Sequence, residues 1–181
     1  MKNFWIALRM FFLLMAITGI VYPILITVIA QLTMKTQANG NLLLIQGKPV
    51  GSLLIAQKFA SEGYFWPRPS SGDYNPLPSG GSNLGPTSAA LKKAIEERRS
   101  KIGKQDVPSE LLYASGSGLD PHISPSTAYF QMERVSKARG LNPSVLKKII
   151  DQNSERPLGI FGTTYVNVLQ LNMALDAFQK K

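Results

Sequence analysis

The chain has 181 residues, a formal net charge of +9 at neutral pH and no cysteine. Its length suits one domain with an appended segment, and the absence of cysteine excludes disulfides and thiolate metal ligands. The positive charge suits phosphate, anionic lipid or an acidic protein surface, and does not select among them.

The first segment with a clear pattern is an uncharged apolar run over residues 11–32. As a helix it would extend about 33 Å, which is enough to cross the hydrocarbon core of a bilayer. Pro23 lies within the run, and membrane helices tolerate proline. A cleaved signal peptide is the alternative, but the run is longer than the apolar core of a signal peptide and lacks a small-residue cleavage site. We therefore predict a retained membrane anchor over residues 1–35.

The basic residues around this span predict its orientation. Lys2 and Arg9 precede the span together with the α-amino group, whereas Lys35 and then Lys48 follow it. Because basic residues favour the cytoplasmic side, we expect a single-pass protein of the cytoplasmic (inner) membrane with its N-terminus inside. Residues 36–181 would then form one extracytoplasmic domain.

The beginning of this second region predicts a hairpin followed by a long loop. Residues 41–59 have two apolar runs around the turn residues 46–49, which indicates a β-hairpin, although runs this short also suit a helix. Residues 64–87 are rich in proline and glycine, so no regular element runs through them. Their four aromatic residues indicate an ordered loop that packs on the domain.

Four helices are predicted in the remainder from their caps and apolar spacing. Thr87 is placed to cap a helix that runs to about residue 99, and its charged face is expected in solvent. Ser124 suits the start of a second helix and Gly140 its end, while Pro143 suits the start of a third. The residues expected to face the core are Leu91 and Ile95, then Ala128, Met132, Val135 and Ala138, then Val145, Leu146, Ile149 and Ile150, and in a C-terminal helix Val168, Leu171, Leu175 and Phe178. The fold class is therefore α+β, mainly helical with a small hairpin or sheet.

A first candidate functional loop is SGSGLDPHISPS, residues 115–126, which contains the only histidine of the chain. Ser117, Asp120 and His122 are the residue types of a serine hydrolase, but the Gly-x-Ser-x-Gly elbow is not met. We keep an anchored hydrolase as a remote alternative and favour a docking or folding loop. Asp120 would anchor backbone N–H groups, and the two glycines would hold conformations that a Cβ opposes. The candidate residues are Ser115, Gly116, Ser117, Gly118, Asp120 and His122.

A second candidate loop, PSGGSNLGP at residues 78–86, carries a weak nucleotide-binding signal. Its Ser-Gly-Gly core is similar to the signature loop of ABC transporters, where backbone N–H groups could hold phosphate. The chain has no P-loop, and Ser-Gly-Gly is commonly a turn. We therefore interpret the segment as a nucleotide-linked or docking loop, with candidate residues Ser79, Gly80, Gly81, Ser82 and Asn83.

Metal and nucleic-acid sites are not expected. One histidine and no cysteine leave no His-x-x-His or Cys-x-x-Cys pair for a metal. The segment after Gly140 superficially resembles a helix-turn-helix with Lys147 and Lys148 outward, but acidic residues interrupt the basic surface.

Five segments together resemble the C subunit of the bacterial Kdp potassium pump, the KdpC family. They follow the family order behind one N-terminal span and cover nearly the whole chain. The segments are GSLLIAQKF (51–59), YFWPRPSSGDYN (64–75), SGGSNLGPT (79–87), ASGSGLDPHISPS (114–126) and VNVLQLNMAL (166–175).

This resemblance implies a non-catalytic accessory subunit that helps assemble an ATP-driven, high-affinity potassium importer. It also implies a catalytic chaperone that raises the affinity of the ATPase subunit for ATP. The implied partners are a channel-like potassium-binding A subunit, a P-type ATPase B subunit, a small membrane subunit and the lipid bilayer.

No cofactor bound directly by this chain is expected, since ATP would be held on or with the ATPase subunit and K⁺ is the transported ion. The family links ATP to the Ser-Gly-Gly stretch, whereas the charge bias places that stretch on the other side of the membrane. Any ATP effect is therefore expected to be indirect. The alternative function is a stand-alone, membrane-anchored, exported binding module.

Overall fold

The computed structural model describes residues 2–45, 47–157 and 162–179. Contacts divide the chain into two compact units, Met1–Leu42 and Leu43–Lys181. The boundary predicted after residue 35 stays a prediction.

The N-terminal unit contains a helical segment, Lys2–Thr33, that is long and apolar enough to cross a membrane. Its parts in order are α1 (Lys2–Ala16), a π-helical turn (Ile17–Val21) and α2 (Tyr22–Thr33), and a short α3 (Lys35–Ala38) follows. Pro23 explains the π turn, because a proline ring clashes with the carbonyl four residues earlier in a regular helix. In the wider turn the N–H of Tyr22 donates to the carbonyl of Ile17, and the helix continues past the proline.

The remaining described residues form five helices and five short strands, which confirms the predicted α+β class. The strands are β1 (Leu42–Ile45), β2 (Lys48–Ser52), β3 (His122–Ile123), β4 (Ser154–Glu155) and β5 (Tyr165–Asn167). The helices are α4 (Ala89–Ile102), α5 (Ser109–Leu112), α6 (Pro125–Arg139), α7 (Pro143–Gln152) and α8 (Val168–Gln179).

The strands make two small sheets. Strands β1 and β2 pair as predicted, but Lys48 and Pro49 belong to β2 rather than to the turn, and the predicted turn residue Gln46 lies outside the described residues. A two-stranded sheet has only edge strands, which is where proline is tolerated. In the other sheet β5 is central and antiparallel to both neighbours, with His122 opposite Asn167.

The hydrophobic core lies among α6, α7, α8 and β5. Its fully or nearly buried members are Phe65, Ile123, Ala128, Val135, Leu146, Ile149, Ile150, Val166, Val168, Leu171 and Leu175. Ser124 caps α6 by accepting from the N–H of Thr127, and Gly140 ends it with a φ of +65°, both as predicted.

Three details of the helix predictions were wrong. The cap of α4 is Ser88 instead of Thr87, since the Ser88 side chain accepts from the N–H of Leu91 and its backbone is extended. Ala138 and Phe178 are exposed because each lies in the last turn of its helix.

Candidate functional site

The two loops selected from the sequence, residues 79–83 and 115–122, pack against each other. A Cβ added at Gly118 would lie 2.7 Å from the carbonyl oxygen of Gly80, and one at Gly81 would lie 2.9 Å from that of Gly116. Both distances are shorter than van der Waals contact, so only glycine permits this approach of two backbones, which we call the glycine crossing (Gly80 and Gly81 against Gly116 and Gly118). The structure therefore joins two segments that the sequence presented separately.

The two glycines of the 115–122 loop are not equivalent. Gly118 has a φ of +70°, in the left-handed region that other residues seldom adopt. Gly116 is not in that region, and a Cβ added there would have no heavy atom within 4 Å. The prediction that both glycines oppose a Cβ is correct for Gly118 and wrong for Gly116.

Pro69 and Ser71, in the first part of the long loop, form hydrogen bonds with the two segments of the glycine crossing. The hydroxyl of Ser71 donates to the carbonyl oxygen of Gly80 at 2.6 Å, and the N–H of Ser115 donates to the carbonyl oxygen of Pro69 at 3.0 Å. Ser70 accepts with its hydroxyl from the N–H groups of Gly72 and Tyr74. Residues 69–74, 79–83 and 115–122 are thus held together by hydrogen bonds from backbone groups and serine hydroxyls.

Asp120 ties the 115–122 loop to the long loop. Its Oδ2 lies 3.0 Å from Nη1 of Arg68, and its Oδ1 accepts from the N–H of His122 at 3.0 Å. Both charged side chains are about 30% exposed, so the pair is partly shielded from solvent and its attraction is screened less than that of a fully exposed pair. Arg68 was not among the residues predicted from the sequence, although its position between Pro67 and Pro69 restricts its backbone.

His122 lies on strand β3 and its ring packs against the ring of Tyr165, with 4.4 Å between centroids. Its Nδ1 lies 3.7 Å from Oδ1 of Asp120, which is too long for a hydrogen bond. The hydroxyl of Ser117 accepts from the N–H of Leu119, and no hydrogen bond joins Ser117 to His122 in this described segment. The geometry therefore does not assemble the nucleophile, base and orienter of a serine hydrolase.

The 79–83 loop presents polar atoms and apolar neighbours to solvent. Ser79, Ser82 and Asn83 are exposed, and the loop carries no basic side chain that would pair with a phosphate. The flanking Leu77 and Leu84 are 83% and 40% exposed. Leu84 also lines a shallow groove, together with Pro86, Leu91, Lys92, Ile95 and Tyr113.

Two titratable groups help to fix the surrounding backbone. The carboxylate of Glu110 accepts from both the N–H and the hydroxyl of Ser124 at 2.9 Å. Burial opposes its ionisation, but hydrogen bonds involving Thr127 and Ser124 outweigh burial and lower the pKa of Glu110. Burial, aided by Asp73, raises the pKa of Tyr74 to about 12, so its hydroxyl stays a donor to the carbonyl oxygen of Arg68.

The described residues contain no cluster of three or more histidine, aspartate or glutamate side chains that could hold a metal ion. Together these features define a class: a chain with one helix able to span a membrane and an α+β unit that carries a rigid, glycine-dependent surface. Comparison with known proteins identifies the family within that class.

Residues 4–177 match the family model of KdpC, the c chain of the K⁺-transporting ATPase. The chain is 46% identical over 183 residues to the potassium-transporting ATPase KdpC subunit of Polaromonas naphthalenivorans, spanning 96% of this chain and 93% of that protein. It is 47% identical over 186 residues to the KdpC subunit of a Synechocystis species, spanning 97% and 98%. The chain belongs to the KdpC family, which confirms the resemblance seen in the sequence.

Proposed function

We propose that the chain is a non-catalytic accessory subunit that assembles and stabilises an ATP-driven, high-affinity potassium pump. The family match over residues 4–177 carries this proposal, because it spans both the anchor and the folded unit. Relatives that align over nearly their whole length are named subunits of a potassium-transporting ATPase. The partners would be the channel-like A subunit, the P-type ATPase B subunit and the small membrane subunit.

The proposed location is the cytoplasmic membrane, with the N-terminus inside and the folded unit outside. Lys2 and Arg9 lie in the N-terminal part of the helix, before its uncharged run over residues 11–32, and favour the cytoplasmic side. Alkaline phosphatase, fused to the C-terminus, is then expected to be active in intact cells. An inactive phosphatase together with an active cytoplasmic reporter at the same position would reverse the proposed topology.

The proposed docking surface is the 79–83 loop with its apolar flanks. Leu77 is 83% exposed, and the loop beside it is fastened at the glycine crossing, so these side chains are presented from a fixed backbone. Exposed apolar groups on a rigid support are typical of protein interfaces. Partner association would bury them and stabilise the assembly.

A catalytic-chaperone role, in which the chain raises the ATP affinity of the ATPase subunit, is proposed as an indirect effect. The 79–83 loop has no basic side chain, and its two glycines are packed against the 115–122 loop. Neither feature favours direct contact with a polyphosphate. The nucleotide would be bound by the ATPase subunit, and this chain would change the affinity through subunit contacts.

Co-purification tests the proposed function. With the other pump subunits co-expressed, the tagged full chain is expected to retain all of them in detergent, and the complex to show K⁺-stimulated ATPase activity. The chain purified alone is expected to hydrolyse no ATP. Failure to retain any subunit would favour the stand-alone binding module, and ATPase activity of the chain alone would overturn the non-catalytic role.

A further inference from the structure

A pocket of about 300 Å³ lies between the first part of the long loop and the second half of α4. Its lining combines aromatic and cyclic side chains with three basic residues: Trp66, Pro67, Tyr74, Lys58, Arg98 and Lys101. The volume is at the small end of the range for ligand pockets and suits one or two side chains of a partner. This pocket is separate from the groove beside Leu84, which is lined by the first half of α4.

The pocket retains positive charge. Lys58 pairs with Asp73 at 2.7 Å, so these two charges offset each other. Arg98 donates from Nη1 to the carbonyl oxygen of Leu112, and the ammonium of Lys101 lies 5.9 Å from the ring centroid of Trp66. In residues 47–157, where both lie, neither Arg98 nor Lys101 forms an ion pair with a carboxylate.

The apolar side of the pocket is held in place before any ligand arrives. The N–H and carbonyl oxygen of Trp66 bond to the side-chain amide of Gln131 at 2.8 and 3.0 Å. The guanidinium of Arg134 stacks on the Trp66 ring, 3.7 Å from its centroid. A preformed site binds with less loss of conformational entropy than one that must order on binding.

We propose that this pocket binds an acidic side chain and an adjacent apolar side chain from a loop of a partner subunit. Arg98 and Lys101 would pair with the carboxylate, while Trp66 and Pro67 would contact the apolar group. The inference rests on the proposed function, because it requires that the chain works within a complex.

The position of the pocket favours a carboxylate over a phosphate. Lys101 and Ile102 line it from the last turn of α4, where the free carbonyls carry partial negative charge. Phosphate sites use the opposite end of a helix, where backbone N–H groups point at the anion. Two basic side chains can compensate the single negative charge of a carboxylate at this end. A doubly charged phosphate would be repelled more strongly by the partial negative charge of the helix carbonyls.

The test uses charge reversal in the co-expressed complex. Lys101→Glu places a negative charge in the pocket, and Arg99→Glu is the matched control. Arg99 is exposed on the same last turn and does not line the pocket, so both changes alter the helix dipole interaction alike. We expect Lys101→Glu to reduce the subunits retained in detergent about tenfold relative to Arg99→Glu, with a difference that shrinks as sodium chloride rises.

A photo-crosslinking amino acid at Ile102 identifies the occupant. The peptide found by mass spectrometry is expected to come from a partner subunit and to contain Asp or Glu beside an apolar residue. Replacing that acid with lysine is expected to restore assembly of the Lys101→Glu chain.

Three results would overturn the inference. They are equal retention by the two glutamate variants, a crosslinked peptide without an acid, and a lipid or small anion in native mass spectrometry that Lys101→Glu removes. A wild-type chain that retains no subunit would overturn the proposed function as well, which separates the two failures.

Discussion

The two halves of the long loop between β2 and α4 are held in different ways. In the first half, Phe65 is fully buried, and its N–H and carbonyl oxygen both bond to the side-chain amide of Asn172, at 2.9 and 3.0 Å. Trp66 makes the same pair of bonds to Gln131. In the second half, residues 75–87, the side chains are mostly exposed and the backbone is fastened mainly at Gly80 and Gly81.

This comparison shows how an irregular loop can be fixed without a strand partner. An amide side chain offers an NH2 donor and a carbonyl acceptor, which are the kinds of group that a neighbouring strand would supply. The core helices α6 and α8 provide those amides to the first half. The second half has no such support, which leaves its surface free for a partner.

The largest expected effect comes from removing the anchor of the first half. Phe65→Ala would leave a cavity in the core and is expected to lower the free energy of unfolding by about 3–5 kcal/mol. Thermal unfolding of the full chain in detergent measures this loss. Leu77→Ala in the exposed half is the control, and equal melting temperatures for the two variants would remove the distinction between the halves.

Asn172→Ala tests the amide support with a smaller change. The N–H and carbonyl oxygen of Phe65 would lose their partner in a buried site, and this loss is expected to lower the free energy of unfolding by about 1–3 kcal/mol. Hydrogen exchange is expected to accelerate at the Phe65 amide before it does at Trp66, which keeps Gln131. Exchange that rises equally at both amides would contradict separate supports.

The glycine crossing holds the exposed second half of the long loop, and Gly118→Val is expected to break it. Gly118→Val combines a left-handed φ with a Cβ 2.7 Å from the carbonyl oxygen of Gly80, and the backbone conformation alone costs about 1–2 kcal/mol. Melting temperature and yield of intact complex should fall more than for Gly116→Ala or His122→Ala. A His122→Ala complex that assembles normally but lacks activity would instead support a chemical role for the histidine.

Low pH is expected to destabilise residues 115–124. It should not affect the first half of the long loop, which the amides of Asn172 and Gln131 hold. Because the pKa of Glu110 is lower in the folded chain, it contributes stability above its unfolded value of about 4.3 and loses it as pH falls through the folded value. Below about pH 4.3, wild type is therefore expected to lose more stability than Glu110→Gln does, because the amide cannot titrate. Parallel pH profiles of melting temperature would exclude this contribution.

Local signals made much of the fold predictable. Ser124, Gly140 and Pro143 mark ends of α6 and α7 through hydrogen bonds and backbone preferences within a few residues. The two-residue strands β3 and β4 could not be predicted, because each exists only through its pairing with β5. A pattern within two residues carries no such information.

The site was predictable as two loops but not as one surface. Glycines and prolines drew attention to residues 79–83 and 115–122, while the contact of Gly80 with Gly118 depends on the tertiary fold. Arg68 was missed for the same reason, since its carboxylate partner Asp120 is distant in sequence. The amides of Asn172 and Gln131 lie on helices and resemble ordinary polar positions until the loop is placed beside them.

The smallest expected effect on stability belongs to the exposed half. Leu77→Ser is expected to change the free energy of unfolding by no more than about 0.5 kcal/mol, because the side chain is 83% exposed and buries little apolar area in the isolated chain. The same change should reduce retention of partner subunits in detergent if Leu77 is buried on docking. Lys93→Ser, at an exposed position on α4, controls for an exposed substitution outside this surface. Normal retention by Leu77→Ser would place the docking surface elsewhere, whereas a large fall in melting temperature would mean that the second half is held as firmly as the first.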